Sequence, residues 1–108
     1  MRNKINEDLL FAYYGGLLNT HQREIMKMYC EYDMSLSEMS KESGLTRQGV
    51  RDIIVRSVSK LEKFEERLGL TEKIKKILMQ AEELLKEESL DDVLKNKITN
   101  LIDEIKEI

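Results

Sequence analysis

The chain has 108 residues, 41% of them hydrophobic and 36% charged. This is the balance of one ordinary domain, or of a compact domain with an appended helical pair, and it excludes both a disordered chain and two independent cores. A formal net charge of -3 excludes a protein that coats nucleic acid by charge alone, so any nucleic-acid surface has to be local.

Proline is absent and glycine occurs five times, a composition that suits long helices and requires no strand. The first helix is expected to start at an Asn6 cap, with Glu7 and Asp8 at the positive end of its dipole, and to run to about Leu18. Leu9, Leu10, Tyr13, Tyr14 and Leu17 form its apolar stripe. Gly15-Gly16 weakens the last turn, either to admit another helix closely or to end the regular turn. Thr20 caps a second helix that carries Ile25, Met26, Met28, Tyr29 and Tyr32, and Asp33-Met34 connects it onward. Ser35-Leu36-Ser37-Glu38 is a capping box, which opens a short third helix closed by Gly44. Thr46 caps the longest helix, with Val50, Ile53, Ile54, Val58, Leu61, Phe64 and Leu68 on one side until Gly69. Thr71 opens a fifth helix with Ile74, Ile77, Leu78, Ala81, Leu84 and Leu85. Ser89 opens a sixth, where Leu94, Ile98, Leu101, Ile105 and Ile108 make a heptad-like seam too short for an independent coiled coil.

One cysteine, Cys30, cannot form an internal disulfide and is read as a half-buried thiol in a reducing compartment. No apolar run reaches the roughly 18 to 20 residues that span a bilayer, and Met1-Arg2-Asn3-Lys4 leads into an amphipathic segment. The expected location is cytoplasmic, without membrane insertion.

The stretch from Leu36 to Val55 fits a helix-turn-helix unit at almost every constrained position. Met39 faces the core, Ser40 is small where two helices cross, Gly44 supplies a left-handed turn, Leu45 fills the corner, and Val50 and Ile53 anchor the second helix. Ser43 departs from the pattern, since a larger apolar residue is more usual there. With Val50, Ile53, Ile54 and Val58 inward, Arg47, Gln48, Arg51 and Asp52 turn outward at the start of the fourth helix, where such units meet the major groove. Arginine and glutamine form paired hydrogen bonds with guanine and adenine edges respectively. Between Thr46 and Lys60 the cations Arg47, Arg51, Arg56 and Lys60 face one acid, Asp52, which makes a basic patch in an acidic protein. Arg56, Lys60 and Lys41 suit phosphate contacts that position without reading sequence.

At these residues the chain resembles the YlxM family, small bacterial proteins taken to bind DNA, whose genes lie beside those of the signal recognition particle. The resemblance is carried by Leu10-Phe11-Ala12-Tyr13-Tyr14-Gly15-Gly16-Leu17-Leu18, Thr20-His21-Gln22-Arg23 and Tyr32-Asp33-Met34-Ser35-Leu36-Ser37-Glu38-Met39-Ser40. It continues through Arg47-Gln48-Gly49-Val50-Arg51-Asp52 and Leu61-Glu62-Lys63-Phe64-Glu65-Glu66-Arg67-Leu68. Thr20 to Lys60 is also similar to region 4 of bacterial sigma factors, a promoter-reading helix-turn-helix. The resemblance implies a regulatory role linked to the signal recognition particle. Gly49 and Arg51 depart from the family pattern, in which alanine and an aromatic are common, so the targets of relatives do not transfer.

The expected fold is therefore all-α: a helix-turn-helix bundle, sigma factor region 4-like, over residues 1-69 and a C-terminal helical hairpin over 70-108 for dimerisation or docking. The expected function is DNA binding by a regulatory homodimer, since one helix-turn-helix offers little area for tight specific binding. RNA and components of the signal recognition particle are the other partners considered. An enzyme is the reading from another class, and the residues supply no catalytic set. His21, the sole histidine, reads as a helix-start surface residue, and no phosphate-cradling loop or metal spacing occurs, so no cofactor or metal is expected. Glu82-Glu83, Glu87-Glu88 and Asp91-Asp92 read as solvated faces. The serious competitor is an adaptor that holds a protein or RNA without reading DNA. From Leu70 onward ten acids face seven lysines, which suits a protein contact better than a phosphate contact.

Overall fold

The computed structural model describes the backbone of residues 4–107 and the side chains of residues 6–107. Its elements are α1 (Lys4–Tyr14), a 3-10 turn (Gly15–Leu17), α2 (Thr20–Cys30), α3 (Leu36–Ser43), α4 (Arg47–Leu68), α5 (Leu70–Leu85) and α6 (Asp92–Lys106), with no strand among the described residues. The chain divides into two compact units that meet in sequence at Gly69 and Leu70.

In the first unit α4 is the central rod, and α1, α2 and α3 all pack against it. Leu10, Phe11, Tyr14 and Leu18 from the first segment, Ile25 and Met26 from α2 and Met39 from α3 are buried with Val50, Ile54, Val58 and Leu61 of α4. The inward stripe of the first helix is thus rotated from the one expected, for Leu9 is 37% exposed and Leu17 54% exposed. Steps of one and three along 10, 11 and 14 keep to one helical face and Leu9 falls off it, while Leu18, an extended residue, is brought inward by the 3-10 turn that follows the helix. Asn6 lies within α1 and not at its cap, so the helix begins earlier than expected. Glu7, expected at the positive end of the helix dipole, is in the first turn but buried, and it accepts a 2.7 Å hydrogen bond from the Tyr29 hydroxyl of α2. The Tyr14 hydroxyl donates likewise to Glu65 Oε1 of α4, and its ring lies 6.1 Å from that of Phe64. Two phenols thereby tie α1 to both neighbours.

Gly15, where the α-helix passes into the 3-10 turn, is required for a steric reason. A Cβ there would come within 2.8 Å of the Phe11 ring, so the ring keeps this position against the backbone only because residue 15 has no side chain. Asn19, and not Thr20, caps α2: its side chain accepts from Gln22 N at 2.8 Å, and the Gln22 side chain accepts from Asn19 N. An amide oxygen at that position closes the box that a cap one residue later would leave open. Helix α2 then stops at Cys30, leaving Tyr32 outside it and 61% exposed, while Cys30 is half-buried.

In the second unit α5 begins directly after Gly69, whose positive φ of 61° closes α4. The start is Leu70 and not Thr71. Asp91, and not Ser89, caps α6, by accepting from Leu94 N at 2.9 Å. The short connection over 86–91 makes the pair an antiparallel hairpin. Ile74 and Ile102 are its buried residues, and Leu78, Ala81, Leu85, Ile98 and Ile105 are half-buried around them. The expected seam is split: Ile98 and Ile105 join Ile102, whereas Leu94 and Leu101 are 45% and 58% exposed. Ile108 lies outside the described residues. The reason is helical phase, since α6 turns the 98, 102 and 105 side toward α5 and Leu94 and Leu101 lie about a sixth of a turn away.

Candidate nucleic-acid interface

The turn between α3 and α4 is closed by its own polar atoms. Ser35 Oγ accepts from Glu38 N at 3.1 Å while Glu38 Oε1 accepts from Ser35 N at 3.1 Å, which starts α3. Hydrogen bonding from Ser35 to the carboxylate, first from its backbone N–H and then from its hydroxyl, holds the Glu38 carboxyl below the ordinary carboxylate range. Gly44, at φ 76°, ends α3 in the left-handed region, and its N–H reaches Ser40 O. Ser40 Oγ donates to the Leu45 carbonyl, and Leu45 N donates to Ser43 Oγ at 3.2 Å. Ser43, the departure from the usual pattern, therefore has a role as a local acceptor. Thr46 caps α4 by accepting from Gly49 N at 3.0 Å.

From that cap α4 projects its first two turns. Val50 is fully buried and Ile54 nearly so, whereas Arg47, Gln48 and Arg51 are exposed and Asp52 is half-exposed. Positions 47 and 51, and beside them 48 and 52, form two adjacent i, i+4 pairs that make one strip of the helix surface, called the row below. Within it, Gln48 Nε2 donates to Asp52 Oδ1 at 2.9 Å. Asp52 thus orients the Gln48 amide, and leaves its oxygen and second N–H free in direction for a base edge. Arg56 is exposed and Lys60 half-exposed, but at about 100° per residue they lie more than a third of a turn from Arg51. Arg56 follows Asp52 by one turn and Lys60 follows Arg56 by another, so the two continue from the Asp52 edge of this surface, away from Arg47 and Arg51. Lys41 is exposed on α3.

Val55 extends the row and escaped sequence reasoning. It is 43% exposed, one turn beyond Arg51. The signal was present, because Ile53, Ile54 and Val55 are consecutive and one helix face cannot hold all three. An exposed branched methyl beside arginine and glutamine suits the C5-methyl of thymine.

Elsewhere in this unit a depression of about 170 Å³ lies among Phe11, Gly16, Arg23, Lys27 and Glu31, and a second of about 290 Å³ among Leu18, Thr20, Arg23, Glu24 and Lys27. Both fall below the size of ordinary small-molecule sites, roughly 300 to 1,000 Å³. Among the described residues no group of three or more His, Cys, Asp or Glu side chains could hold a metal ion, and no helix is long and apolar enough to cross a membrane.

With this geometry in hand, comparison with known proteins gives one consistent result. A family model described as "Putative helix-turn-helix protein, YlxM / p13 like" matches residues 1–105. The chain is similar to the UPF0122 protein of Thermoanaerobacter sp. (strain X514), at 38% identity over 106 residues that make up 93% of this chain and 91% of that protein. It is 34% identical over 109 residues to the UPF0122 protein of Clostridium perfringens, with 97% of each chain covered. A third relative, from Caldanaerobacter subterraneus subsp. tengcongensis, is 42% identical over 76 residues, 70% of this chain and 65% of that one.

Proposed function

The chain belongs to this YlxM/p13-like helix-turn-helix family, and from that premise we propose that it is a cytoplasmic DNA-binding regulatory protein. The row Arg47, Gln48, Arg51 and Val55 reads base edges in the major groove. The observation that carries this reading is the exposure of Arg47, Gln48 and Arg51 on the first turns of α4, while Val50 and Ile54 lock the same turns into the core. Arg56, Lys60 and Lys41 supply phosphate contacts on the flanks. A homodimer presents two such rows, which suits paired half-sites. The resemblance to proteins encoded beside the signal recognition particle supports a regulatory place in that pathway.

A second reading, an adaptor for protein or RNA of that pathway, draws on the excess of ten acids over seven lysines from Leu70 onward. One experiment separates the two. Duplexes recovered by crosslinking in cells are titrated by fluorescence anisotropy across a salt series. Affinity is expected to fall steeply with salt, and to drop on the order of a hundredfold or more in Arg47→Ala/Arg51→Ala, since each paired arginine contact is worth about 1–3 kcal/mol. Unchanged affinity in the double variant, with an unchanged melting temperature, removes the DNA reading and leaves the adaptor.

A further inference from the structure

The hairpin of α5 and α6 leaves much of its apolar surface in water. Ile77 and Leu84 on α5 are 49% and 53% exposed, in addition to Leu94 and Leu101 on α6. Ile77 and Leu84 lie about a quarter turn from the Ile74, Leu78, Ala81 and Leu85 side that meets α6, and Leu94 and Leu101 lie about a sixth of a turn from the Ile98, Ile102 and Ile105 side that meets α5. Because the two helices are antiparallel, these rotations have opposite hands when viewed down one axis, which brings both pairs to the same broad face of the hairpin.

The charges beside that face identify what covers it. Lys73 and Lys76 border the Ile77–Leu84 strip toward the start of α5, and Glu83 and Glu87 border it toward the end; all four are exposed. Within one chain the four charges include two like pairs at helical spacing, although Glu72 four residues before Lys76 and Lys86 three after Glu83 offset part of that. Lys73 and Lys76 are like charges three apart, and Glu83 and Glu87 are like charges four apart, in the tight turn that prolongs α5. The pattern is nevertheless antisymmetric about Gln80: Lys73 and Glu87 lie seven residues on either side, Lys76 and Glu83 four and three, and Ile77 and Leu84 three and four.

We infer that this face docks a second copy of the same chain, with α5 antiparallel to the partner's α5 and the two-fold axis near Gln80. It rests on the homodimer included in the function proposed above and names its surface. In that pairing Ile77 meets the partner's Leu84, Lys73 meets the partner's Glu87, and Lys76 meets the partner's Glu83. Leu94 and Leu101 flank the contact and complete a four-helix bundle from two hairpins. A parallel pairing would set lysine on lysine and glutamate on glutamate, so the same charges select the orientation.

The test is the oligomeric state of the full chain by light scattering and sedimentation at low salt, alongside circular dichroism to follow the fold. The natural chain is expected to be a dimer. Lys73→Glu/Lys76→Glu and Glu83→Lys/Glu87→Lys are each expected to weaken the dimer, raising its Kd by about tenfold to a hundredfold, with helical content and melting of the monomer retained. An equimolar mixture of the two variants is expected to restore a one-to-one dimer, as is the quadruple charge exchange within one chain, a recovery that a misfolded variant could not give. Ile77→Asp removes the apolar strip and is expected to give a monomer in all mixtures. A natural chain that stays monomeric at every concentration overturns both the homodimer and this surface. A natural dimer that survives both charge variants, or variants that do not recover on mixing, overturns the surface and leaves the homodimer to another contact. DNA affinity of the monomeric variants is read separately and decides neither outcome.

Discussion

The two units of this chain use the same kinds of residue to opposite degrees. In the unit ending at Gly69 four helical segments surround one another, and Tyr14, Ile25, Met26, Met39, Val50 and Leu61 are all at most 1% exposed. In the hairpin after it two helices can cover only one side of each, so Ile74 and Ile102 stand as its buried residues while Ile77, Leu84, Leu94 and Leu101 remain in water. Apolar content is therefore not what separates them. A third direction of packing is what the first unit has and the hairpin lacks, and a layer two helices thick is stable only when something closes its open face. The contrast fits the roles proposed for them, a rigid surface on α4 in the first unit and assembly through the hairpin.

The largest test of that contrast is to separate the units. A chain ending at Gly69 is expected to melt cooperatively by circular dichroism, whereas a peptide of residues 70–108 at micromolar concentration is expected to be mostly unfolded, gaining helix only as concentration rises. A peptide that is fully helical at high dilution would break the comparison. Next in size is one chemical change made in both places. Leu61→Ala, at a fully buried site, is expected to cost about 3–4 kcal/mol in denaturant unfolding. Leu101→Ala, at a site 58% exposed, is expected to cost under about 0.5 kcal/mol in the dilute monomer and more as the chain associates.

Smaller effects sharpen the picture within the first unit. Ser35→Ala is expected to cost about 1 kcal/mol by opening the cap of α3. It should also let the Glu38 carboxyl titrate closer to its ordinary range, as followed by NMR. The sign is fixed by the lowered value: Glu38 adds stability above the carboxylate range, and that contribution is lost as pH falls through its folded pKa, so Glu38→Gln narrows toward the natural chain in acid. The smallest effect is Gly49→Ala. A Cβ there would lie 3.2 Å from Thr46 Oγ1, an exposed hydroxyl able to give a few tenths of an ångström. The gain in helix propensity is then expected to leave a net stabilisation of about 0.5 kcal/mol. A loss of stability would mean that the Thr46 cap cannot move.

Much of the fold was legible from short-range chemistry. Ser35 with Glu38, Gly44, Thr46 and Gly69 mark ends of α3 and α4 where expected, because a cap is decided by atoms within three or four residues. The errors came where two neighbouring polar residues compete for one cap, as Asn19 does with Thr20 and Asp91 with Ser89. For the candidate interface, the outward turn of Arg47, Gln48 and Arg51 followed from periodicity alone. The Gln48–Asp52 hydrogen bond could not be read there, since both rotamers depend on local packing.

What the sequence determined by itself is the set of helices, their breaks and the local basic stretch on α4, since caps, propensity and periodicity act over a few residues. Which apolar positions became core was decided only in three dimensions. Ser57 is fully buried while Leu17, Leu84 and Leu101 are more than half exposed, and Glu7 sits inside on the Tyr29 hydroxyl. Burial is a property of the neighbours a residue meets across the fold, and the residue's own hydrophobicity sets only what that meeting is worth.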